Sequence, residues 1–128
     1  MRYLILIIGF LSFTSTAHSQ SDSGMCMDFK NFEKNTNKDL PRKIDEVTEL
    51  TFIGVNCDSK IIKYVKRILA SGNEMQVGWE ERKQRQHTQL HCNQDGLSRT
   101  VKWVAMDVVY DKDFKYLTTL VTAPTNCK

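Results

Sequence analysis

Across residues 100–127, apolar positions cluster on both sides of a short polar break. Val101, Trp103 and Ala105 lead into Val108, Val109 and Tyr110. Asp111, Lys112 and Asp113 interrupt them, and Phe114, Tyr116, Leu117, Leu120 and Val121 follow. β-Branched and aromatic residues around an Asp-rich turn predict a β-hairpin. Pro124 ends its second strand, because proline cannot donate to a strand ladder. An isolated hairpin is marginal in water, so the rest of the chain must cover this one.

Residues 23–34 follow a different period. Met25, Phe29 and Phe32 fall at i, i+4 and i+7 beside Cys26, and Asp22 or Ser23 can cap the helix this predicts. That stripe is expected to pack on a sheet. The polar residues 35–39 and the Leu40-Pro41 pair stop the helix. Residues 44–47 lead into a short strand at 49–55, ELTFIGV, and Asn56, Cys57, Asp58 and Ser59 are turn chemistry.

Residues 60–69, KIIKYVKRIL, fit two readings. A strand puts Ile62, Tyr64 and Ile68 on one face and Ile61, Val65 and Leu69 on the other. A helix gathers Ile61, Tyr64, Val65, Ile68 and Leu69 into one stripe. The β-branched content and the turn behind Val55 favour a strand in hairpin with ELTFIGV. Residues 79–92, WEERKQRQHTQLHC, contain no breaker and predict a second helix. Only Trp79, Leu90 and parts of Lys83 or Gln86 are expected to face a core, so this helix should be mostly wetted. Residues 93–98, NQDGLS, turn the chain into the last hairpin. The order helix, hairpin, polar helix, hairpin predicts an α+β fold: a small antiparallel sheet of about four strands packed with two helices.

Composition adds a compartment. Residues 1–19 carry Arg2, a nearly unbroken Leu, Ile and Phe run, and Ala17-His18-Ser19 before Gln20. This is the pattern of a cleaved secretory signal peptide. The apolar run is about half the ~20 residues that a membrane span needs. Residues 20–128 are then a single domain. Its net charge is near +2, since removing Arg2 leaves 17 Lys and Arg against 15 Asp and Glu. That balance gives no reason to expect nucleic acid or an anionic membrane as partner. Four cysteines, Cys26, Cys57, Cys92 and Cys127, in an exported chain this small predict two disulfides. Spacing does not choose among the three pairings; the placement of the elements favours Cys26–Cys57 and Cys92–Cys127.

The chemistry-bearing residues assemble into no known site. His87 and His91 lie one helical turn apart, but the segment reads HTQLH and lacks the HExxH pattern of a zinc site. Glu80 and Glu81 beside Arg82 read as helix charge pairs. Asp107 interrupts an apolar strand and is expected to face outward, with no second group to make an acid–base couple. There is no nucleophile elbow and no Gly-rich phosphate loop. The expectation is therefore a protein without catalytic, metal or cofactor residues.

Three features together resemble small exported proteins of Gram-negative bacteria. They are LPRKIDEVTELTFI after a first helix, LHC followed by NQDGLS, and a last hairpin closed by a cysteine. The group includes periplasmic immunity proteins of type VI secretion systems, which counter cell-wall-degrading effectors. The resemblance implies a small disulfide-bonded periplasmic binder that blocks the cleft of a peptidoglycan-degrading toxin, and it carries over no active-site residues. Such a cleft is lined with carboxylates. Arg82 and Arg85 suit it by charge, and Trp103 and Tyr116 suit an interface as aromatic anchors. The alternative is a structural accessory of an envelope machine, a pilus or a secretion apparatus. That protein would dock through a sheet edge or the Met25/Phe29/Phe32 stripe. Both readings expect a protein partner, and a homodimer stays open.

Overall fold

The computed structural model describes residues 22–128. The segment read as a signal peptide lies outside the described residues. Helix α1 (Asp22–Asn37) leads through a cis Leu40–Pro41 peptide into strand β1 (Arg42–Asp45). Strands β2 (Thr48–Asn56) and β3 (Ile61–Ile68) follow, then helix α2 (Trp79–His91) and strands β4 (Val104–Tyr110) and β5 (Tyr116–Thr122). The sheet runs β1-β2-β3-β4-β5 in sequence order. Neighbours are antiparallel except β3 and β4, which are parallel.

The α+β expectation holds, with a corrected sheet: five strands rather than about four, and one parallel join. The added strand is β1, whose RKID sequence is exposed throughout and has no apolar period to betray it. The parallel join follows from chain length, because parallel neighbours need a crossover of a dozen or more residues and α2 supplies it. Residues 60–69 form the strand reading, with Asn56 Oδ1 accepting from Ser59 N at 3.1 Å in the turn before it. At the β2 bulge the register shifts between Leu50 and Phe52, and Thr51 Oγ1 donates to Val65 O at 3.0 Å.

Both helices cover the same face. The core under α1 holds Leu50, Ile53, Val55, Ile62 and Trp103, with Met25 and Phe29 packed against it. Phe32 turns outward instead, so the helical stripe is narrower than its spacing suggested. Disulfide Cys26–Cys57 ties α1 to the β2–β3 turn, and Cys92–Cys127 ties the end of α2 to the C-terminus. These loops, with sequence separations of 31 and 35, each contribute about 4 kcal/mol in the chain-entropy model.

Each helix also caps a length of strand edge. Asn37 Nδ2 donates to Ile53 O at 2.8 Å while its Oδ1 accepts from Ile53 N at 2.9 Å. Glu33 Oε2 accepts from Val55 N at 2.7 Å. On β5, Gln84 Nε2 donates to Val121 O at 2.8 Å and Gln84 Oε1 accepts from Val121 N at 3.1 Å. A side-chain amide has the donor–acceptor pair of a peptide unit. It therefore satisfies backbone groups that would otherwise recruit another strand.

Candidate functional site

Between α2 and β1 the helix-covered face is left partly open. Three adjoining hollows of about 130, 240 and 160 Å³ share Lys66 and Asp107. Their walls are Ile44 from β1, Leu50 from β2, and Trp79, Lys83 and Leu90 from α2. Leu90 is 59% exposed at the rim, not in the core as expected. The result is a groove with apolar walls and a charged floor.

The floor follows from strand period. Inward positions of β3 are Ile62, Tyr64, Lys66 and Ile68, and those of β4 are Ala105, Asp107 and Val109. A Lys and an Asp therefore meet where two apolar residues would be ordinary. Lys66 Nζ donates to Asp107 Oδ2 at 2.6 Å. Asp107 Oδ1 lies 3.4 Å from His87 Nε2, a close polar contact without well-directed hydrogen-bond geometry. His87 Nδ1 bonds Thr122 Oγ1 at 2.7 Å. Asp107 is thus inward-facing and 4% exposed, a correction to the outward position expected of it. His87 is buried as well, not on a solvated helix face.

The electrostatics favour one charge state. Burial pushes the Asp107 carboxyl up, but the His87 imidazole and the Lys66 ammonium outweigh burial and hold it below the ordinary carboxylate value. Burial, and then the neighbouring His87, push His91 down from 6.5 to about 4, so it is neutral at pH 7. The His87 and His91 ring centroids are 4.5 Å apart. Burial followed by the Asp107 charge raises the Tyr64 phenol. Asp107, His87 and Thr122 stand in the order of a nucleophilic triad, but Thr122 is fully buried. The arrangement holds α2 on the sheet and sets the polarity of the groove. Among the described residues no group of three or more His, Cys, Asp or Glu side chains is placed to hold a metal ion.

The other site residues named from sequence do not converge. Arg82 and Arg85 are exposed on α2, and Arg82 Nη1 donates to Val77 O at 3.1 Å. Trp103 is 3% exposed and meets Phe29 edge-on at 4.7 Å, so it serves the core and presents no surface. Tyr116 is 59% exposed at the start of β5, edge-on to Tyr110 at 6.1 Å, remote from the arginines in the chain and on a different element. The four cysteines are paired as the element order favoured. The Lys66–Asp107–His87 floor escaped the sequence reading, although one signal was present. Gln84, His87, Thr88 and His91 form a stripe at i, i+3, i+4 and i+7, but a polar one.

No family model matches the sequence, and neither does any curated protein. Two solved structures share the fold. A Pseudomonas aeruginosa protein, provisionally assigned as secreted, superposes with a TM-score of 0.65 at 14% identity, over 84% of this chain and 96% of its own. The pilotin EpsS of the Vibrio vulnificus type 2 secretion system superposes with a TM-score of 0.61 at 9% identity, over 84% of this chain and 94% of its own. At these identities the likeness is one of fold. Among the described residues no helix is long and apolar enough to cross a membrane.

Proposed function

We propose that this protein is an exported, non-catalytic accessory of an envelope machine, and that it works by holding a segment of a partner protein. The observation that carries the reading is the fold it shares with a secretion-system pilotin over 84% of the chain. Two further features support it. Two disulfides fit an oxidising compartment outside the cytoplasm, such as the periplasm. The groove walled by Ile44, Trp79 and Leu90 is the concave, mostly apolar shape that recognition sites take. The disulfides also keep the scaffold rigid, which lowers the ordering cost of binding.

Blocking of a peptidoglycan-degrading toxin, the other reading of the sequence, has no such support: one structural neighbour is a pilotin and the other is assigned only as secreted. The test is to delete the gene and follow the outer components of the cell's pilus and secretion assemblies by fractionation. One component should be mislocalised or lost. The wild-type protein should restore it, and the groove variant Ile44→Asp/Leu90→Asp should not. Normal assembly in the deletion strain, together with sensitivity to a periplasmic cell-wall hydrolase, would transfer the protein to the toxin-blocking class.

A further inference from the structure

The sheet face turned away from both helices is unusually apolar. A half-covered sheet ordinarily alternates, with polar residues outward. Here the outward positions include Phe52, Ile61, Val65, Met106, Val108 and Val121, each partly or fully open to solvent. Phe52 and Val121 are 46% and 38% exposed. The Phe52 ring lies over Gly54, where a Cβ would come within 3.2 Å of it, so the face is smooth at that point. Such a patch marks an association surface. Lengths of the β2 and β5 edges are already capped by Asn37 and Gln84, so strand addition is disfavoured there and the face is left.

We infer that this face is the interface of a homodimer, two copies packing sheet on sheet. The area suffices. Four strands about 4.8 Å apart and about eight residues long give a footprint of roughly 500 Å² per copy, or about 1,000 Å² over both, where specific interfaces begin. The register also makes the face self-complementary. A two-fold axis lying in the interface along the strands, between β3 and β4, exchanges those two strands and keeps each residue at its own level. Val65 then meets Val108 of the second copy, Lys63 meets its Met106, and Arg67 meets its Tyr110. No cation faces its own copy, and Arg67 is already countered by Glu49 Oε1 at 3.2 Å. The helix-side grooves of the two copies point away from each other, so the dimer presents two of them. This inference does not depend on what the groove binds.

The test is light scattering coupled to size-exclusion chromatography on the oxidised, processed protein at micromolar concentration. The wild type should elute at twice the mass of one chain. Val65→Asp and Val108→Asp should each halve that mass with an unchanged near-ultraviolet circular dichroism spectrum. Because an Asp variant could fail to fold, a second pair follows. Met106→Lys should dissociate the dimer by setting a lysine against Lys63, and adding Lys63→Glu should restore it. A folded wild type at the mass of one chain overturns the inference and leaves the face to a different protein. A dimer that survives both Asp variants overturns it as well, and a folded Met106→Lys/Lys63→Glu monomer overturns the stated axis.

Discussion

Replacing Lys66 by methionine keeps the aliphatic stem and removes the ammonium. Asp107, whose side chain is 6% exposed, is then left without its ammonium partner, with His87 Nε2 at 3.4 Å. Removing one partner of a buried ion pair costs about 3–5 kcal/mol, because an uncompensated charge stays inside. The Lys66 side chain is 25% exposed, so water reaches the pair and the low end, about 3 kcal/mol, is expected. With a urea slope of about 1–3 kcal/mol/M, the unfolding midpoint at pH 7 should fall by roughly 1–3 M. The double variant Lys66→Met/Asp107→Leu should recover to within about 1 kcal/mol of the wild type, since a well-packed apolar pair replaces such ions at little cost. The pH dependence adds a second reading. Without Lys66 the Asp107 carboxyl loses one of the groups that lower it, so it protonates more readily. The penalty of the single variant is therefore full above the ordinary carboxylate value and shrinks as pH falls through it. A midpoint shift under about 0.3 M at pH 7, or equal penalties at pH 7 and pH 3.5, would show that Lys66 does not compensate a buried Asp107 charge.

The two edge caps should differ in weight. Asn37→Ala strips both bonds from the buried Ile53 backbone and should cost about 1–3 kcal/mol, whereas Gln84→Ala frees an exposed edge that water can satisfy and should cost less than about 1 kcal/mol, both read from urea midpoints. His91 is held near 4 in the fold against an ordinary 6.5, so the unfolded chain takes up a proton that the fold refuses. Its contribution is full above pH 6.5 and is lost as pH falls toward about 4; His91→Gln should flatten that stretch of the stability–pH curve. The processed protein should weigh four hydrogens less than its fully reduced form, and reduction should lower its melting temperature, checked by mass spectrometry and calorimetry.

The elements that could be read from sequence are those whose burial has a period. Met25 and Phe29 at helical spacing mark α1, and the apolar runs on either side of Asp111, Lys112 and Asp113 mark the last hairpin. Strand β1 has no such signal, since all four of its residues are exposed and RKID carries no apolar period. The groove floor was illegible for a different reason. Lys66 and Asp107 are 41 positions apart, and each alone looks like a solvated charge. Only the parallel β3–β4 register shows that both fall on inward positions. Trp103 was ambiguous in the same way, because an aromatic residue beside a strand suits a core and an interface equally until Phe29 is placed against it.

The groove between α2 and β1 is the proposed place where a partner is held. Site-specific photo-crosslinking from Leu90 and from Ile44 in the producing cell tests that directly. The same envelope-assembly protein should be captured from both positions, and it should not be captured from Arg99, whose Nη2 donates to Lys128 O at 2.7 Å beside the C-terminus. Capture of a cell-wall hydrolase instead, or of no protein from either groove position, would contradict it.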